Sequence, residues 1–263
     1  MANPRADRVR AVAALARASV RTRRGQFLVE GPQSVREVVR FAPAQVRDLY
    51  VTVAAAQRYP EITDDATAAG VHTHLCSPDV LAAMSPDAQG VLAVAHPAAA
   101  SSGDLFGGAQ PPQLLAALAE VRDPGNAGTV IRAADAAGAD GVLLSAGSVD
   151  VHNPKVVRST AGSMFHLPVA GGVDLAEAAA AARSAGMQVL AADGAGRAGL
   201  YAADLARPTL WVFGNEAHGL GAAERELADA VVRIPIHGHA ESLNLAMAAT
   251  VCLYSSARAQ RGA

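Results

Sequence analysis

Leu210-Trp211-Val212-Phe213 is a short apolar run of strand type that stops abruptly at Gly214-Asn215-Glu216. These three residues end a strand rather than extend it. A glycine at a strand's end lets a second backbone or a ligand come close, and the amide and carboxylate that follow deliver polar groups to the opening. In open α/β sheets, ligands sit beyond the carboxyl ends of the strands. Taken alone, the stretch also reads as a plain strand-to-helix turn with Glu216 in the first helical turn. The rest of the chain decides between the two.

The second half repeats the pattern. Leu114 to Val121 is strand-like, and Asp123-Pro124-Gly125-Asn126-Ala127-Gly128-Thr129 is a turn opening a helix through Ala137. Backbone amides at such a helix start form an anion-binding surface. Arg132 lies on this helix, six residues beyond Asn126, so the two converge only if Asn126 belongs to the turn. Further strands are expected at Gly141 to Ser145, His166 to Ala170, Gln188 to Ala192 and Val231 to Ile236. Helices are expected from Asn153, bearing Arg158, Ser159 and Ser163, and from Leu175 to Gly186, Ala222 to Ala228 and Leu245 to Arg258. Ser242 or Asn244 caps the last of these. Gly194-Ala195-Gly196-Arg197-Ala198-Gly199 matches the dinucleotide pattern G-x-G-x-x-G. Pro208 leaves no room for the helix that should follow, so the segment reads as a surface loop. His237 and His239 read as loop residues.

The first half alternates strands and helices at α/β spacing. An amphipathic helix over residues 4–18 leads to a basic turn from Arg21 to Gly25. Strands follow at Phe27 to Val29, Val46 to Val53, Val71 to Leu75 and Gly90 to Ala95. Helices are expected at Ser34 to Phe41, Ala55 to Gly70 (interrupted at Pro60) and Asp79 to Met84. His72, His74 and Cys76 share one strand face but lack the fourth ligand of a closed zinc site, so packing is the better reading. Residues 98–112 have linker composition. The domains are therefore expected at 1–24 (a basic arm), 25–97, and 113–263.

At 263 residues and 51% hydrophobic, the chain can bury a sizeable core. The net charge of −2 gives no global pull toward nucleic acid. The charge is uneven, however: seven arginines stand against Asp7 between Arg5 and Arg24. Arg21, Arg23 and Arg24 are candidate phosphate contacts, as are Lys155 and Arg158, three apart on one helix face. Two distant cysteines point to a reducing compartment, no apolar run reaches membrane length, and the N-terminus is not a signal peptide, which together suggest a cytoplasmic protein.

The ordered segments Asp123–Arg132, Phe213–Leu220 and Ile234–Ile236 with Glu241-Ser242-Leu243-Asn244-Leu245-Ala246 resemble the three motifs of the SpoU/TrmH branch of the SPOUT RNA methyltransferases. Arg21-Thr-Arg-Arg-Gly-Gln-Phe-Leu-Val-Glu-Gly resembles, less specifically, the family's L30e-like RNA-binding domain. The resemblance implies an α/β fold: a parallel-sheet domain with a deep trefoil knot, preceded by a smaller L30e-like domain. Knots are too rare for any sequence pattern to argue one by itself. It implies a homodimer that binds S-adenosylmethionine through Gly214, Asn215, Glu216, Ile234, Ile236, Ser242, Leu243 and Asn244, without a metal. It assigns Arg132 as the activating residue, with Asn126, Glu216, Ser242 and Asn244 as positioning groups. An arginine stays protonated in proteins, so electrostatic stabilisation of an alkoxide suits Arg132 better than proton abstraction. The implied activity is 2′-O-methylation of RNA ribose, on 23S ribosomal RNA. A transfer RNA substrate, a non-catalytic RNA binder on the same scaffold, and a dinucleotide enzyme using Gly194 to Gly199 are the alternatives.

Overall fold

The computed structural model of the chain describes residues 1–98, 102–108 and 110–262. Ala99, Ala100, Ser101 and Ala109 of the expected linker, and Ala263, lie outside the described residues. The chain divides into two compact units: Met1–Ala99 with His152–His166, and Ala100–Val151 with Leu167–Ala263.

The first unit has four strands, β1 (Phe27–Glu30), β2 (Val46–Thr52), β3 (His72–Cys76) and β4 (Val91–Ala95), in the order β1-β4-β2-β3. β4 runs antiparallel to both β1 and β2, and β3 lies parallel to β2. Successive side chains of a strand point to opposite faces. Phe27 and Val29 therefore pack with Val35, Val38 and Ile62 on one side. Leu28, Tyr50 and Leu92 pack with Val9, Val12 and Leu81 on the other.

The N-terminal arm differs from expectation. A helix at Asp7–Ala13 and one 3-10 turn are followed by a second helix, Ala18–Arg24, where a basic turn was expected to begin at Arg21. Arg21 is the reason: it folds back, 6% exposed, and donates to the carbonyls of Leu15 (3.1 Å) and Ala16 (2.8 Å). It thereby satisfies groups that a helix end leaves open. Gly25, in the left-handed region at φ 56°, ends the second helix. The helix expected from Asn153 to Ser163 stops at Ser159, and Val157 is buried in the first unit's core.

The second unit is a seven-stranded, all-parallel sheet. Its strands are β5 (Leu114–Leu118), β6 (Gly141–Ser145), β7 (Val169–Val173), β8 (Gln188–Ala192), β9 (Ala198–Gly199), β10 (Thr209–Phe213) and β11 (Ala230–Arg233), in the order β7-β6-β5-β10-β8-β11-β9. Every residue of β5, β6 and β10 is buried, as the continuous apolar runs of a sheet covered on both faces require. Ala178, Ala179 and Ala182 of the helix Leu175–Ser184 cover one face. The helix Leu245–Arg261 packs against β5 and β10, and Trp211 Nε1 donates to its buried Ser256 at 2.9 Å. The glycine-rich segment read as a loop carries β9, which pairs with Val232 and Arg233. A Cβ at Gly196 would lie 2.8 Å from the backbone of that neighbouring strand, so its second glycine serves a close strand approach. In the expected linker, Ser102–Phe106 forms a helix and Leu105 joins the second unit's core.

Candidate functional site

β10 runs parallel between β5 and β8, so its carboxyl end opens beside theirs. The chain leaves β10 at Gly214 into a tight loop. A Cβ on Gly214 would stand 2.2 Å from the Gly219 carbonyl carbon and 2.5 Å from the Leu220 nitrogen. Only glycine lets the two limbs approach this closely. Asn215 and Gly219 then exchange backbone hydrogen bonds of 3.0 and 2.9 Å. The Asn215 side chain donates to the Glu120 carbonyl at 2.6 Å. Glu120 itself sits at φ 49°, a left-handed conformation uncommon for a residue with a Cβ.

A single run of side-chain hydrogen bonds joins the three motif segments. The Glu216 carboxylate accepts from the backbone amides of Arg122 (3.4 Å) and Asp123 (3.3 Å) and from Asn126 Nδ2 (3.2 Å). Asn126 Oδ1 accepts from Asn244 Nδ2 at 3.0 Å. Asn244 Oδ1 accepts from the amides of Ala246 (2.9 Å) and Met247 (3.4 Å) and so caps the last helix. The chemistry fixes every orientation: a carboxylate only accepts, so Asn126 turns its NH2 to Glu216 and has only its oxygen left for Asn244.

These segments line a cleft of about 590 Å³ at the carboxyl ends of β8, β10 and β11. Of the residues singled out in the sequence, Asn126, Gly214, Asn215 and Glu216 line it. Ile234, Ile236, Ser242, Leu243 and Asn244 line it as well. Asn126 is not in the turn but in the first turn of the helix Pro124–Ala137, where Asp123 caps its amide at 2.7 Å. Arg132 therefore lies about 120° around that helix from Asn126. It is exposed, outside the lining of the cleft, and makes no hydrogen bond or ion pair among the described residues. Asp193 and Arg225, 3.8 Å apart, also line the cleft. They were not legible in the sequence, because nothing local shows that β8 lies next to β10.

The expected RNA contacts separate. Arg23, Arg24 and Lys155 are exposed. Arg21 is buried on carbonyls, as described above. Arg158 is engaged by the buried Glu30 carboxylate and by Asp87 at 3.0 Å. Proximity to Lys155 on one helix face did not predict this, because Glu30 comes from a strand far away in sequence. His74 Nε2 lies 3.0 Å from Asp48 and its ring stacks on Tyr50, while Cys76 Sγ donates to the Val51 carbonyl.

The comparisons agree with this geometry. The profile of the SpoU rRNA Methylase family matches residues 113–254, and that of RNA 2′-O ribose methyltransferase substrate binding matches residues 28–100. An uncharacterized tRNA/rRNA methyltransferase of Synechocystis is 35% identical, over 91% of this chain and 86% of its own. The 23S rRNA (guanosine(2553)-2′-O)-methyltransferase RlmP of Bacillus subtilis is 32% identical, over 89% of each chain. The crystal structure of an AdoMet-bound rRNA methyltransferase from Sinorhizobium meliloti superposes with a TM-score of 0.85 at 29% identity, covering 98% of this chain and 97% of that one. With motifs, fold and relatives in agreement, this chain belongs to the SpoU rRNA methylase family.

Proposed function

We propose that this chain transfers a methyl group from S-adenosylmethionine to a ribose 2′-hydroxyl of RNA, and that the RNA is 23S ribosomal RNA. The observation that carries this reading is the run Glu216–Asn126–Asn244, which closes three separated motifs around one cleft. The cleft suits a nucleoside cofactor: its volume is in the range of small-molecule sites, and apolar walls stand beside a few polar groups. Leu220, Ile234, Ile236 and Leu243 supply the walls, and Glu216, Ser242 and Asp193 the polar edge. When bound, S-adenosylmethionine supplies a methyl group already activated on a sulfonium. Glu216, Asn126 and Asn244 hold the loops around it, and Gly214 lets the loop close on Gly219 and Leu220 beside it. Arg132 remains cationic and stabilises the developing alkoxide together with the target phosphate. The substrate-binding profile over residues 28–100 supports RNA contact by the first unit, with Arg23, Arg24 and Lys155 as its exposed cations.

A homodimer completes the site in this reading. Leu243, just before the last helix, and Met247 and Tyr254 on it are 41, 55 and 49% exposed. The Tyr254 hydroxyl donates to the Ala136 carbonyl of the helix that bears Arg132. A second copy that covers this apolar stripe brings its own Arg132 to the cleft. The return of the last helix across β5 and β10, after the chain has left the sheet at β11, supports the trefoil knot. A ribosomal substrate supports a cytoplasmic location.

Calorimetry with S-adenosylmethionine, alongside transfer of labelled methyl to ribosomal RNA, tests the proposal. The Arg132→Ala variant should lose transfer by about a hundred- to a thousandfold while cofactor affinity stays unchanged. Full activity in that variant refutes the assignment. A silent titration with the wild type supports a non-catalytic RNA binder instead.

A further inference from the structure

A second cavity, of about 500 Å³, opens in the first unit beside the N-terminal helix Asp7–Ala13. Its apolar wall is formed by Val12, Leu15, Val94 and Tyr50, all buried. Three exposed guanidinium groups, those of Arg8, Arg24 and Arg47, line the same cavity. Two acids also line it, and both are engaged: Asp7 pairs with Arg10, and Asp48 accepts from His74 and faces Arg47 at 3.4 Å. Arg24 spends one N–H on the Ala11 carbonyl at 2.9 Å, which leaves most of its donors available.

Tyr50 is the feature that points to a ligand. The residue is 1% exposed, with its ring stacked on His74 at 4.8 Å between centroids. Its hydroxyl makes no hydrogen bond to any described residue. No fully buried side-chain oxygen or nitrogen among the described residues lacks a partner, so this hydroxyl must open onto the cavity that Tyr50 lines. Burial, with a smaller contribution from Asp48, pushes the phenol up to about 12, so at neutral pH it is a donor. An apolar wall, one fixed donor and three arginines form a mixed set. Inorganic phosphate uses only the cations; a nucleotide uses all of it, the base on the apolar wall with its edge on the donor and the phosphate on the arginines.

We propose that this cavity takes one unstacked nucleotide of the RNA substrate, its base edge on the Tyr50 hydroxyl and its phosphates on Arg24 and Arg47. The proposal rests on the RNA reading given above. It adds a site of capture in the first unit, separate from the cofactor cleft of the second.

The test uses the full chain and a short, fluorescently labelled single-stranded RNA of mixed sequence, with anisotropy followed as a function of salt. Each phosphate contact on a single strand contributes about 0.7 to the slope of log affinity against log salt. Replacing two arginines (R24A with R47A) should lower that slope by about 1.4. Tyr50→Phe removes one oxygen with no protein partner, so the fold is retained; affinity should fall about fivefold with the slope unchanged. Wild-type affinity and slope in both variants overturn the proposal. Free nucleoside monophosphate binding as tightly as the RNA marks a small-molecule site and overturns it too. Failure of the enzyme reading shows separately, as wild-type protein that neither binds S-adenosylmethionine nor methylates RNA.

Discussion

Gly214→Ala is the most direct perturbation of the cofactor cleft. The new methyl group would stand 2.2 Å from the Gly219 carbonyl carbon, against the 3.4 Å at which ordinary contact begins. The limbs must therefore part by about 1.2 Å, the difference between those distances. All three nearest atoms belong to the backbone, so no side chain can swing aside. The paired bonds between Asn215 and Gly219, at 3.0 and 2.9 Å, are the first to break. At roughly 1 kcal/mol each they amount to about 2 kcal/mol. Residual overpacking adds about 1–3 kcal/mol, for a total of about 3–5 kcal/mol. If the loop opens locally, the cost falls on binding, and S-adenosylmethionine affinity drops by about two to three and a half orders of magnitude at 1.4 kcal/mol per decade. If the strand end resists, the cost appears instead as a lower melting temperature, by about 2–4 °C for each kcal/mol. Calorimetry with the cofactor and thermal denaturation on the same preparation capture both routes. A variant that matches the wild type in both refutes the close-approach argument.

Other outcomes follow from the same structure. Asn126→Ala and Asn244→Ala should show a coupling of about 0.5–1 kcal/mol in cofactor binding when combined; strictly additive effects would mean that the amides do not engage in solution. Arg158→Ala leaves the buried Glu30 carboxylate with Ser85 (2.5 Å) as its one side-chain partner among the described residues and should cost about 2–3 kcal/mol in urea denaturation, a partly exposed pair costing less than a fully buried one. The same variant should leave the salt dependence of RNA binding unchanged; a shallower slope would restore Arg158 as an RNA contact. For Asp229, burial raises the pKa but is outweighed by the Val189 amide (2.8 Å) and the Arg183 guanidinium (2.9 Å), which together hold the carboxyl below its ordinary range. Its stabilising contribution is thus present above the unfolded value near pH 4 and disappears as pH falls through the folded one. Asp229→Asn should flatten that acid limb, and superimposable pH-stability curves would count against it.

Gly214, Asn215 and Glu216 were legible because the end of β10 announces itself locally, while Ile234, Ile236, Ser242 and Leu243 were named through the family motifs, and the strand expected to reach Ile236 ends at Arg233. The last helix was legible from its cap, read as Ser242 or Asn244 and found at Asn244, whereas the cap Asp123 was read as part of a turn. What was not legible depends on partners remote in the chain. Arg21 has the same local appearance as Arg23 and Arg24, yet only Arg21 reaches the Leu15 and Ala16 carbonyls. Arg158 reads as half of a basic pair with Lys155, but Glu30 decides its role. The placement of Val157 in the first unit's core is likewise a long-range effect, because the Asn153–Ser159 stretch carries no sign of which core it joins. Asn126 was misplaced by a few residues because proline and glycine are as much at home in the first turn of a helix as in the turn before it.

The amide of Asn126 is also a point of chemical weakness for the cleft. Hydrolysis of that one side chain to aspartate would set a second anion 3.2 Å from Glu216 and remove the NH2 that faces it. Repulsion would then replace attraction at the point where three stretches of chain are tied together, up to 118 positions apart.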